Sequence, residues 1–272
     1  MHYPKCQDKT AEFGNECYVY CNAANSDGYI IAEYAGDQKY LAKTEMKKGD
    51  DKYVFDMYGR PEVLPFVYGD GEYEIRVLRQ TDDPAKYLQL LKMSLSVKMS
   101  PPWIRFKYPN QRVWYTPSSK AAAKAAELCR GKTSETGRFN AIYDFIVNNF
   151  TYDTQLASAV QPRYLPDCDR TLARKMGICC DIAALFACMC RSQGLLCKYV
   201  TGYVLPPGSK DKLYHAYNYV YCNDNTVLFG GLAVKQNTWT LLDLTFSATN
   251  MSSQAVIRFV SNNANYDNKN AY

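Results

Sequence analysis

The sequence predicts an α+β protein in two parts: a strand-rich N-terminal region, then a region built on one buried helix and antiparallel strands. Three observations carry this. Between Gly28 and Met99, short β-branched and aromatic runs are broken by glycine and aspartate turns, the pattern of a small β-sandwich or barrel. The paired prolines of Ser100-Pro101-Pro102-Trp103 stop any strand or helix from running through them. Beyond them, Ile182–Cys190 is apolar on every side, and such a helix belongs inside a domain.

A chain of 272 residues, 47% hydrophobic and 22% charged, is large enough to bury a substantial core. The net charge of +5 is mild and comes with no lysine run, which argues against nucleic acid as a partner. No apolar run approaches the roughly 18 residues of a membrane helix, and the first ten residues carry no hydrophobic signal region. That reading places the protein in the cytoplasm; the alternative is an exported or cell-surface protein given as its mature segment. The eleven cysteines form an odd set, several in apolar contexts where a free thiol acts as a small hydrophobe. A mostly reduced protein is expected.

In chain order, residues 1–27 read as an arm with little periodicity. His2, Cys6, Cys17 and Cys21 have a spacing able to supply four zinc ligands, but free thiols or one disulfide is the plainer reading, and no cofactor or metal is expected. Residues 28–100 form the sandwich-like domain, with strands over Y-I-I-A-E-Y, K-Y-L-A-K-T-E-M, K-Y-V-F-D-M and E-Y-E-I-R-V-L-R. Residues 84–99 fit a helix start or a strand. Residues 101–272 form the second domain. Ser118 or Ser119 can cap a helix through Arg130, and a second helix is expected from about Ser134 to Asn149. Gly194 ends the buried helix, and C-K-Y-V-T-G-Y-V-L follows as a strand. Asn223-Asp224-Asn225 forms a turn. After Thr249 the chain is asparagine-rich, with A-V-I-R-F-V as a short strand and a loose tail beyond.

The first turn of the buried helix carries Cys179, Cys180 and Asp181. A thiol there meets unpaired backbone N–H groups and the positive end of the helix dipole, which favour a thiolate. Neighbouring helix positions differ by about 100° in direction, so only one of the two sulfurs can face a given partner. The chain has two histidines, His2 and His215. With His2 at the extreme terminus, His215 is the expected base. It lies in the strand-like L-Y-H-A-Y-N-Y-V-Y, while Asp243 lies in W-T-L-L-D-L-T-F, read as another strand. Alternation places Leu213, His215, Tyr217 and Tyr219 on one face, and Trp239, Leu241, Asp243 and Thr245 on one face. If the strands pair, His215 and Asp243 meet over the helix start, giving the thiol version of the nucleophile, base and orienter arrangement. Asp181 reads as a carboxylate satisfying helix-start N–H groups. No side-chain oxyanion donor stands out; Tyr152 is the one residue to weigh. Metal binding by Cys179, Cys180, Cys188, Cys190 and Cys197 is disfavoured. Cys188 and Cys190 point about 200° apart on a helix, and no C-x2-C pair occurs.

These residues resemble a known family. G-I-C-C-D-I-A-A-L-F, R-S-Q-G-L-L-C-K-Y-V-T-G-Y, Y-H-A-Y-N and W-T-L-L-D-L-T-F are similar, in order, to the transglutaminase-like superfamily. Its pattern is Gly-x-Cys-x-Asp-x-Ala, a Gly-Tyr strand end, His-Ala-Trp, and Trp followed by Asp-Pro-Thr. The resemblance implies a papain-like α+β catalytic domain, its nucleophile on the N-terminus of a buried helix packed on an antiparallel sheet. It also implies Cys179 as nucleophile, His215 as base and Asp243 as orienting carboxylate. Tyr217 stands where the family usually has Trp, and Leu244 where it usually has Pro. F-V-Y-G-D-G-E-Y-E-I-R-V resembles the β-domain that precedes the catalytic domain in some bacterial members, which are usually exported.

The function so implied is thiol acyl transfer on peptide or glutamine amides through a thioester. The partners are a protein or peptide substrate and, for transamidation, an amine acceptor. The alternative is a catalytically silent binding or scaffolding protein.

Overall fold

The computed structural model describes residues 1–4, 9–224, 227–229, 232–249 and 254–272. The chain divides into one unit of residues 4–111 and another of residues 112–272 together with 1–3.

Among its described residues, the first unit is all strand apart from turns and one 3-10 turn at Ile104–Lys107. Its strands are β1 (Ala11–Phe13), β2 (Cys17–Tyr20), β3 (Tyr29–Tyr34), β4 (Ala42–Lys48), β5 (Asp51–Met57), β6 (Glu62–Pro65), β7 (Gly71–Gln80) and β8 (Tyr87–Val97). They form two four-stranded antiparallel sheets, ordered β1-β2-β3-β6 and β5-β4-β7-β8. In β7 the alternation is plain: Tyr73, Ile75 and Val77 are buried while Glu74 and Arg76 are partly exposed, as one wetted face requires. A two-residue turn joins Lys48 to Asp51, and Gly49 supplies its positive φ of 56° at no steric cost.

Two expectations change here. The stretch read as an arm contributes β1 and β2, because Cys17 and Val19 are fully buried where β2 pairs with β3. Cys6 lies outside the described residues. Cys17 and Cys21 are free and buried, and burial, aided by Glu16, pushes the Cys17 thiol up to about 12, a setting that favours neutral thiol over metal-binding thiolate. Residues 87–97 are strand, held by pairing with β7 along their length. The prolines do not end the unit. The Tyr108 hydroxyl donates to Asp27 Oδ1 at 2.6 Å and the Gln111 N–H to the Val63 carbonyl at 3.1 Å, so the chain stays with these sheets through Gln111.

The second unit contains α1 (Lys120–Cys129), α2 (Glu135–Asn149), β9 (Thr151–Tyr152), α3 (Thr154–Ala159), α4 (Cys168–Arg174), β10 (Met176–Gly177) and α5 (Cys179–Ser192). Then come β11 (Leu196–Val204), β12 (Leu213–Tyr221), β13 (Val227–Phe229), β14 (Leu232–Val234), β15 (Trp239–Leu242), α6 (Leu244–Thr249), α7 (Gln254–Val260) and β16 (Tyr266–Ala271). Helix α5 is buried from Asp181 to Ser192 and packs against α1, α2 and α4 and against β11 and β12. The main sheet is antiparallel, ordered β15-β12-β11-β16. Even Arg191 is fully buried at the end of α5, its guanidinium donating to the carbonyls of Cys197 and Tyr272. Ser134 caps α2 through the Gly137 N–H at 3.0 Å. Ser119 does occupy the N-cap position of α1, but its side chain does not cap. The Asp169 carboxylate of α4 instead accepts from the Lys120 and Ala121 N–H groups at 3.0 and 2.8 Å.

The C-terminal third departs most from expectation. A-V-I-R-F-V lies in α7, a helix, and the polar tail forms β16, because pairing with β11 and burial of Tyr266 override its low strand propensity. Gly202 makes that pairing possible. The register shifts between Thr201 and Gly202, and a Cβ at 202 would run into the Asp267 carbonyl and lie 2.7 Å from the Tyr217 hydroxyl. Among the described residues no helix is long and apolar enough to cross a membrane.

Candidate active site

Short β9 and β10 pair in parallel, Tyr152 opposite Gly177, and hold the entry to α5. Cys179 is the first residue of that helix, where its N–H has no carbonyl of the helix to bond. Asp181 reaches back, its Oδ2 accepting the Ile178 N–H at 3.0 Å and its Oδ1 the Tyr164 hydroxyl at 2.7 Å. It is thus a helix-start carboxylate. Burial raises it above the usual carboxylate range, against the pull of those two donors. Gly177 leaves room for this: a Cβ there would sit 2.7 Å from that of Asp181 and 3.3 Å from the Thr171 methyl. Gly177→Ala is therefore expected to cost about 1–3 kcal/mol by overpacking, read from urea denaturation, and to reduce activity by displacing the helix start.

His215 lies on β12, opposite Gly202 of β11. β15 pairs alongside β12 with Tyr219 opposite Leu241, so Asp243, just past the strand, arrives next to the histidine. Its Oδ2 is 2.8 Å from His215 Nε2, and both residues are buried. Cys179 is the other group that acts on the imidazole, close enough to favour its charged form. The structure thus brings the three predicted residues, Cys179, His215 and Asp243, together at the start of α5. Burial works against a charged imidazolium, but the Asp243 carboxylate and then Cys179 outweigh it and raise His215 to about 10. The ring packs against Phe246 at 5.2 Å and Tyr217 at 5.9 Å.

Cys180 differs from its neighbour. Although it is not fully covered, enough protein surrounds its sulfur that burial, with Asp181 and Cys179, pushes the thiol well above its ordinary range. Tyr152 is partly exposed beside both cysteines, and burial and the charges of Cys179, Cys180 and Asp181 hold its hydroxyl protonated. Ten cysteines are described, all free, and among the described residues no cluster of three or more potential ligands could hold a metal.

The stretch W-T-L-L-D-L-T-F is not one strand. β15 stops at Leu242 and α6 begins at Leu244, because Asp243 Oδ1 accepts the N–H groups of Thr245 and Phe246 at 3.1 and 3.2 Å. Asp243 is an N-cap, and Leu244 occupies the first helical position, the one proline tolerates best. Leucine in place of the family's proline therefore leaves the backbone path intact. Tyr217, in place of the usual tryptophan, is buried and donates to Asn268 Oδ1 at 2.6 Å. The sequence reading missed Tyr266, whose hydroxyl donates to Asp243 Oδ2 at 3.0 Å; a lone tyrosine in an asparagine-rich stretch gives no pattern by which to find it.

Comparison with known proteins accords with this architecture. Residues 122–244 match the family model of the transglutaminase-like superfamily. No curated protein matches the chain. Among solved structures, similarity is found to a proposed cysteine protease from Cytophaga hutchinsonii, 16% identical at a TM-score of 0.44, over 94% of this chain and 75% of that one. The periplasmic domain of TgpA from Pseudomonas aeruginosa is 14% identical at a TM-score of 0.38, over 79% and 92%. Red sea bream transglutaminase is 12% identical at 0.35, over 93% of this chain but 54% of its own length. At such scores these overlays carry no argument of their own. Over the segment 122–244, which holds the buried helix, the histidine strand and Asp243, the chain is similar to the transglutaminase-like superfamily.

Proposed function

We propose that this protein is a thiol acyl-transfer enzyme acting on peptide or glutamine amides. The observation behind the proposal is the His215–Asp243 pair at 2.8 Å with Cys179, the first residue of α5, acting on the same imidazole. The Cys179 sulfur attacks the amide carbonyl, and the oxyanion forms against backbone N–H groups at the helix start. His215, held protonated by Asp243, passes its proton to the leaving amine as the C–N bond breaks. A thioester remains on Cys179. Water as acceptor gives a peptidase or amidase; a primary amine gives a transamidase. Mass spectrometry of a peptide library incubated with and without a primary amine separates cleavage, deamidation and cross-linking in one run. An unchanged library, with eleven uniformly slow thiols toward iodoacetamide, would favour the scaffolding alternative.

The protonation of His215 sets a pH dependence. Its proton is needed for amine departure, so kcat/KM should fall as pH rises through about 10. The stability contribution has the same sign. The folded value is raised, so the contribution is full below the ordinary value of 6.5 and is lost as pH climbs through about 10. Denaturation midpoints between pH 6 and 10 check this against Asp243→Asn, whose histidine should contribute less.

A further inference from the structure

We infer that Tyr266 is a positioning residue for this chemistry, its buried hydroxyl holding the Asp243 carboxylate in place and moderating its grip on the His215 proton. This rests on the reading of Cys179, His215 and Asp243 given above.

The geometry is specific. Asp243 uses each oxygen twice. Oδ1 takes the Thr245 and Phe246 N–H groups, and Oδ2 takes His215 Nε2 and the Tyr266 hydroxyl. A buried carboxylate with its lone pairs so committed cannot rotate away from the imidazole, and the imidazole direction is fixed with it. The same bond has an electrostatic effect. A neutral donor on Oδ2 draws charge from the oxygen that faces the imidazolium and so weakens that ion pair. The histidine must release its proton to a leaving amine, and too strong a hold would slow that step.

Tyr266 is placed by its strand and by the rings around it. β16 pairs with β11, Tyr266 opposite Val204 and Asn268 opposite Gly202. The absence of a side chain at Gly202 lets the β16 backbone come close. Tyr217 braces the ring, its centroid 4.8 Å away, while its own hydroxyl goes to Asn268. Phe259 of α7 lies 5.9 Å from the Tyr266 ring. The titratable groups facing His215 and Asp243 are Cys179 on α5, Tyr217 on β12, Tyr266 on β16 and Tyr143 on α2. Of these, Tyr266 donates a hydrogen bond directly to the pair.

Because the chain has two histidines, NMR titration of the imidazole signals reports on His215 directly and needs no substrate. Tyr266→Phe should raise the His215 midpoint by about 0.5 in pH or more and lower kcat about tenfold with KM little changed. Tyr219→Phe, whose hydroxyl bonds Asn263 rather than Asp243, should leave the midpoint where it is. If Tyr266→Phe does not fold, 3-fluorotyrosine at position 266 gives the opposite sign: a more acidic hydroxyl donates more strongly and lowers the midpoint. A midpoint unmoved by either change, or moved equally by Tyr219→Phe, overturns the inference. Failure of the functional reading looks different, since the wild-type protein would then turn over no amide while its His215 titration still responded to position 266.

Discussion

Cys179→Ala is expected to abolish acyl transfer, by a factor on the order of 10⁶ in kcat as for loss of the nucleophile from a triad, while Cys180→Ala retains most of it. The two sulfurs are neighbours in sequence and differ in surroundings. Cys179 begins α5 and acts on the His215 imidazole. Cys180 is held in the neutral thiol form by the protein around it and by Asp181. Labelling by an electrophilic substrate analogue, followed by peptide mapping, reads the difference without knowledge of the natural substrate. Adduct in Cys179→Ala and none in Cys180→Ala would transfer the role to the second cysteine.

Asp243→Asn is expected to lower kcat by about 10⁴, the loss found when the orienting carboxylate of a triad becomes an amide, while leaving the helix cap intact. The separation of the two effects follows from the double use of the side chain. Asparagine is as good an N-cap as aspartate, so the Thr245 and Phe246 N–H groups keep their acceptor and α6 still starts at Leu244. The charge that holds the His215 proton is gone. Asp243→Ala removes both functions, adding about 1 kcal/mol for the lost cap and leaving the buried Tyr266 hydroxyl without its acceptor. Near wild-type activity in Asp243→Asn, with activity lost in Asp243→Ala, would show that Asp243 acts through the helix cap and not through the histidine.

The features legible in the sequence were those whose signal is local or scarce. An all-apolar helix declares its burial, and α5 is buried as its pattern requires. Two histidines, one of them His2, left His215 as the candidate base, and the pairing of β12 with β15 carries Asp243, just past the strand, to it. The β7 stretch declared itself by strict alternation, whereas β1, β2 and β16 did not. Each of those three is short or polar and exists because a partner strand supplies its hydrogen bonds. The capping of α1 by Asp169 and the contact of Tyr266 with Asp243 join positions far apart in the chain. A propensity argument sees only neighbours. At Asp243 local reasoning erred for a related reason: a run of apolar residues looks like a strand until a side chain inside it caps the next helix.

The place of β16 in the sheet has a consequence for biosynthesis. A ribosome releases the thiol, the imidazole and their carboxylate well before it releases the tyrosine that steadies the carboxylate, because β11 must wait for β16 to come and pair with it. Until then the emerging polypeptide carries β11 as an open sheet edge, able to pair with another strand in place of β16.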